Sequence, residues 1–134
     1  MKKSDNLFTQ ALAAYKNAYA PYSHFQVGAA ILTKSGNIFT GCNVENVSYP
    51  CGTCAEAGAI STMVAAGERE IAEILILADT QQILPCGNCL QKIAEFSASD
   101  VLIHSANPDK IVKTMTLSEL LPLKFQAKDI ENAG

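Results

Sequence analysis

Two short cysteine clusters constrain this chain more than anything else in it: Cys51-Gly-Thr-Cys54-Ala-Glu56 and Pro85-Cys86-Gly-Asn-Cys89. Each stands where a helix should begin. A Cys-x-x-Cys pair at a helix start brings two sulfurs to the same turn, and the positive end of the helix favours their thiolate forms, which is how zinc is held. The two pairs allow two sites. If Cys51 joins Cys54, Cys86 and Cys89, four sulfurs close a structural zinc; if Cys51 stays out, three ligands leave a position open for water, as in catalytic zinc. Spacing alone does not choose. Glu56 alone does not choose either, because Thr53-Cys-Ala-Glu56 also has the form of a capping box.

The pattern around the clusters predicts an α/β layered domain. Ser4 or Asp5 can cap a first helix whose Leu7, Phe8, Ala11, Leu12, Tyr15 and Tyr19 recur at steps of three and four. Residues 25–33 and 38–44 read as a hairpin around Lys34-Ser-Gly-Asn37. A helix follows Thr53 and stops at Gly67, and the continuous apolar run 74–78 predicts a central strand covered on both faces. The next helix begins at about Cys86 and carries Leu90, Ile93, Ala94 and Phe96; residues 101–104 and 111–115 follow as strands. Thr116-Leu-Ser-Glu119 then resembles a capping box opening a short helix. The sheet should be mixed, since its first pair is a hairpin, and residues 1–134 form one domain.

Composition narrows the partners. A net charge of -3 offers no basic field to neutralise a phosphate backbone, so a small uncharged ligand fits better than a nucleic acid polymer. Only 17% of residues are charged, which for a small domain leaves apolar surface expected to lie against another subunit. No apolar run reaches the roughly 20 residues of a membrane span, and the first residues lack the pattern of a secretory signal. Five cysteines, an odd and clustered set, point to a reducing cytoplasm and to metal or catalysis.

Cys54-Ala55-Glu56 followed by Pro85-Cys86-Gly87-Asn88-Cys89 matches the all-cysteine form of the zinc deaminase pattern, in which the Glu lies near the metal without ligating it. Further segments narrow the match: Tyr19-Ala-Pro-Tyr-Ser-His-Phe25-Gln-Val-Gly-Ala, Gly41-Cys-Asn43-Val-Glu45-Asn46 and, more weakly, Glu119-Leu-Leu-Pro-x-x-Phe125. From about Ala11 to Phe125 the chain resembles the small, homotetrameric class of cytidine deaminases. The resemblance implies a three-layer α/β/α fold with a mixed sheet of about five strands, and one Zn2+ per subunit held by Cys54, Cys86 and Cys89. It implies that Asn43 and Glu45 bind the ribose 3'-hydroxyl, that Phe25 lies against the pyrimidine, that Ala55 contacts the substrate, and that Phe125 reaches the base in a neighbouring subunit's site. The implied reaction converts cytidine or deoxycytidine to the uracil nucleoside and ammonia. Zinc acidifies a water, and Glu56 takes its proton, protonates N3 and later the departing amine, while the oxygen attacks C4. An acceptor carboxylate beside an amide suits the reading of hydroxyls, and a nucleotide's phosphate would call for Arg or Lys nearby.

The chain departs from that family in three places. Arginine usually follows the Glu and the second cysteine of the Pro-Cys-x-x-Cys segment; here the residues are Ala57 and Leu90. Three thiolates over-neutralise a zinc ion, and those arginines drain charge from ligand sulfur. Cys51 occupies a commonly aliphatic position and is expected to pack beside the site as a small hydrophobe. Two alternatives stay open: a deaminase of another aminopyrimidine nucleoside, and a non-catalytic, zinc-stabilised nucleoside-binding domain. Against the latter stand Glu56, Asn43, Glu45 and Phe25, which a structural zinc does not need.

Overall fold

Alternation along two strands builds the centre of the molecule. In β1 (Val27–Thr33) Ala29 and Ile31 face one side of the sheet and Ala30 and Leu32 the other; in β3 (Ile71–Ala78) Ile74 and Ile76 oppose Leu75 and Leu77 in the same way. A strand apolar on both faces needs cover on both. The computed structural model, which describes residues 3–131, shows that cover. Helix α1 (Lys3–Lys16) packs Leu7 and Ala11 on one face. On the other lie α2 (Ala55–Ala65), α3 (Gly87–Glu95) and the short α4 (Leu117–Leu120), through Ala59, Met63, Ile93 and Leu117. Strands β2 (Ile38–Cys42), β4 (Ser97–Ala106) and β5 (Ile111–Thr116) complete a five-stranded sheet in the order β2-β1-β3-β4-β5. Only β3 and β4 run parallel. The expected three-layer α/β/α arrangement with a mixed sheet is therefore what forms.

Two glycines set how closely helices approach this sheet. A Cβ on Gly28 would stand 2.3 Å from the Ala11 carbonyl oxygen of α1, and one on Gly41 would stand 2.4 Å from both the Ala55 oxygen and the Ala59 nitrogen of α2. The second contact seats the first turns of α2 directly on β2. On the α1 face, His104 of β4 ties three strands together. Its Nδ1 lies 2.7 Å from Thr114 Oγ1 on β5 and its Nε2 2.7 Å from Glu73 Oε1 on β3, so this buried histidine does more than pack.

Several boundaries differ from expectation. Helix α1 begins at Lys3, which puts Ser4 and Asp5 inside its first turn, and it ends before Tyr19, which bridges to Val44 instead. Phe25 and Val44 fall outside β1 and β2, and Phe96 caps the end of α3. Strands β3 and β4 start earlier than their apolar runs: β3 at the buried Ile71, and β4 at Ser97, where backbone pairing continues past the buried side chains. The Thr116 capping box forms as expected, with Glu119 N–H donating to Thr116 Oγ1 at 3.2 Å and Thr116 N–H to Glu119 Oε1 at 3.0 Å. A last helix, α5 (Ala127–Glu131), was not foreseen from the sequence. Among the described residues no helix is long and apolar enough to cross a membrane.

Candidate active site

Strand register decides which loops meet. Val27 at the start of β1 pairs with Ala78 at the end of β3, and Gly28 pairs with Cys42 at the end of β2. The segments 43–54 and 79–86 therefore leave the sheet at one edge. They end at Cys54 and Cys86, the N-caps of α2 and α3, and neither side chain bonds to its own helix. Thr53 is not the cap, so the Thr53–Glu56 capping box is absent; Thr53 pairs through its backbone with Val44. Glu56 turns inward and is 6% exposed.

A cavity of about 190 Å³ results, with Asn43, Cys54, Glu56, Cys86 and Cys89 on its wall beside the apolar Val27, Ala55 and Ile83. Burial pushes the Glu56 carboxyl above the ordinary carboxylate range, while its own backbone N–H, the Cys89 thiol and the charge of Lys92 pull it back. The Cys89 thiol is pushed up by burial, then by the charge of Glu56, then by Cys54 and Cys86. A divalent cation in this cavity would favour the Cys89 thiolate against these neighbours. Two uncommitted N-cap thiols and a third one turn into α3 are the soft donors that suit zinc. Among the described residues no three donors yet stand in an arrangement that could hold a metal ion, although the thiols share one cavity; sharing one ion takes rotation of their side chains.

Asn43 clasps the entry to β1: its Oδ1 accepts the Val27 N–H at 2.9 Å and its Nδ2 donates to the Phe25 carbonyl at 2.8 Å. Glu45 lies on the wall of a neighbouring cavity of about 340 Å³, with Tyr22, Ser23, Asn46, Tyr49 and Gly52. Its carboxylate accepts the Ser23 hydroxyl, the Ser23 N–H at 3.1 Å and the Tyr22 N–H at 3.0 Å, and these bonds, the hydroxyl foremost, hold it below the usual carboxylate range. The structure thus brings Asn43, Cys54, Ala55, Glu56, Cys86 and Cys89 to one cavity and Glu45 to the next. Phe25 and Phe125 are on neither wall and are 40% and 60% exposed.

Cys51 ends a 3-10 helix (Tyr49–Cys51) and is exposed, so the expected packing as a small hydrophobe is not found. Leu90 is buried in the core on the α2 side, and Ala57 is half-buried. Sequence reasoning passed over Ser23, which orients Glu45, and Gln91, whose Nε2 donates to the Phe125 carbonyl at 2.9 Å. Ser23 lay inside a segment already singled out; nothing local marked Gln91.

The family model for the cytidine and deoxycytidylate deaminase zinc-binding region matches residues 1–105. A cytidine deaminase from Halalkalibacterium halodurans is 40% identical over 127 residues, 94% of this chain and 96% of that protein. A blasticidin-S deaminase from Bacillus cereus is 32% identical over 108 residues, 74% of this chain and 76% of that protein. The crystal structure of a cytidine deaminase from Burkholderia pseudomallei is similar at a TM-score of 0.87 and 40% identity, covering 93% of this chain and 100% of that one.

Proposed function

The chain belongs to the cytidine and deoxycytidylate deaminase family, and from that premise we propose that it is a zinc-dependent hydrolase converting cytidine or deoxycytidine to the uracil nucleoside and ammonia. The observation that carries this reading is the convergence of three thiols and a buried carboxyl on one cavity at the starts of two helices.

Cys54, Cys86 and Cys89 hold the zinc ion, which when bound supplies Lewis acidity to the reacting oxygen. Glu56 moves the protons: it carries one from the attacking water to N3 of the base, and a second, taken from the same oxygen once it has added to C4, to the departing amine. Its burial supports this role, because a carboxyl raised above its ordinary range holds a transferred proton better than an exposed one does. Asn43 and Glu45 read the ribose 3'-hydroxyl. Each is already oriented by backbone groups and retains unused hydrogen-bonding capacity, a second amide hydrogen on Asn43 and about one remaining lone-pair site on Glu45. Ala55 contacts the base from beside Glu56, and Phe25 lies against the pyrimidine.

The thiol cavity alone, at about 190 Å³, is smaller than the roughly 300–1,000 Å³ of a typical ligand cleft. Asn43 on the wall of the thiol cavity and Glu45 on the wall of a second cavity of about 340 Å³ are two residues apart, which supports a substrate with its base at the thiols and its sugar toward Glu45. Among the described residues no Lys or Arg lines either cavity, in keeping with a free nucleoside rather than a nucleotide or polymer. The catalytic unit is the whole of 1–134, working as a cytoplasmic homotetramer in which Phe125 reaches a neighbouring subunit's site. The exposure of Val47, Tyr49, Leu123 and Phe125 supports that assembly, and five free cysteines support the compartment.

A second reading, action on a different aminopyrimidine nucleoside, draws on the likeness to a blasticidin-S deaminase. Incubation with cytidine, deoxycytidine and blasticidin S, followed by release of ammonia and the matching product, tests both. Cytidine or deoxycytidine is expected to be consumed, and Glu56→Ala to retain zinc while losing turnover. Bound but unconsumed nucleoside would leave only a zinc-stabilised binding domain.

A further inference from the structure

The four acids of the thiol cavity stand on or at the start of α2 and α3, and these two helices contain a single cation, Lys92. Lys92 follows Cys89 by three residues on α3, so one helical turn puts the two side chains on the same side. Across the groove between the helices, Lys92 and Ile60 line one hollow, and Ile60 stands one turn beyond Glu56 on α2. The lysine is exposed and, among the described residues, makes no ion pair; the pair found there joins His104 to Glu73. Its charge is felt by Glu56. The positions that follow Glu56 and Cys89 directly, Ala57 and Leu90, carry no charge.

We propose that Lys92 is a positioning residue whose charge offsets the excess negative charge of the zinc-loaded site, acting on Cys89 and Glu56 rather than on substrate. The inference rests on the reading that Cys54, Cys86 and Cys89 hold zinc. Its sign follows from charge balance. Three thiolates around one divalent ion leave the loaded site with a net charge of -1. A cation one turn away favours the loaded state. Because the ammonium is exposed, water and salt screen it, so the effect is modest and depends on ionic strength.

Zinc affinity of the purified full chain, measured by competition with a chromophoric chelator, tests this for wild type, Lys92→Gln, Lys92→Glu and Lys92→Arg at low and high salt. Lys92→Gln is expected to weaken zinc by about two- to fivefold at low salt and Lys92→Glu by about the square of that factor. Lys92→Arg should match wild type, and all differences should shrink near 1 M salt, where the screening length is about 3 Å. A structural role would follow neither the sign of the charge nor the salt. Unchanged affinity in Lys92→Glu at low salt, or a loss shared by Lys92→Arg or indifferent to salt, would overturn the proposal. Cytidine turnover measured on the same wild-type preparation keeps the two readings apart. An inactive wild type whose variants still rank by charge removes the deaminase and supports Lys92; an active one whose variants do not rank removes Lys92 alone.

Discussion

Two carboxylates of this chain show how surroundings divide labour among identical groups. Glu56 is buried and raised, while Glu45 is half-buried and lowered by the Ser23 hydroxyl and two backbone N–H groups. Carboxyls pushed apart in this way suit opposite tasks, one exchanging protons and the other remaining an ionised acceptor. Asn43 shows a different economy, since the amide proposed to read the sugar also holds the start of β1. Asn43→Ala should leave the Val27 N–H and the Phe25 carbonyl without their partner, at a cost of about 1–3 kcal/mol in urea denaturation, and should raise KM for cytidine. A variant as stable as wild type would show that the clasp contributes nothing. The sequence marked Asn43 as a candidate for turn chemistry or ribose binding; its part in holding the neighbouring strand required the register.

At the scale of elements, the placing of α2 depends on Gly41. The atoms that a Cβ would meet there are backbone, which cannot rotate away as a side chain can. Gly41→Ala should therefore lift the start of α2 off β2, costing about 1–3 kcal/mol and displacing Cys54 and Glu56 from the cavity. Thermal melting and zinc affinity should fall together; a variant that melts earlier yet binds zinc as before would separate helix seating from the site. The elements themselves were largely legible, because α1 announces itself by period, the hairpin by its turn residues and β3 by its continuous apolar run. Their ends were not. The start of β4 from Ser97 to Asp100 carries no buried side chain, so no apolar pattern marks it, and α5 likewise buries nothing.

Across the whole molecule, three carboxylates tie stability to pH on the acid side. Glu45, Glu68 and Glu119 are each held below the ordinary carboxylate range by hydrogen bonds that exist only in the folded chain: Ser23 to Glu45, Ser35 to Glu68, and the Thr116 backbone to Glu119. The unfolded chain therefore binds protons more readily than the folded one at these sites. Their contribution to stability is complete above the ordinary Glu pKa of about 4.3 and is lost as pH falls through their lower folded values. Melting temperature should accordingly be insensitive to these groups from pH 7 to 5 and drop below about pH 4. A melting temperature that holds or rises into that acid range would contradict the assignment. The chemistry on offer and the layers can be read from the chain alone, since ligand types, apolar patterning and the Pro-Cys-x-x-Cys spacing are local properties. It took the tertiary structure to settle that Cys54 rather than Thr53 caps α2, that Glu56 is buried, that Cys51 stands exposed, and that Lys92 shares a hollow with Ile60 of α2. The reason is register: a slip of one residue between β1 and either neighbour would turn its side chains to the opposite faces and part the two loops that carry the cysteines, and pairing over that range has no signature in any short stretch of chain.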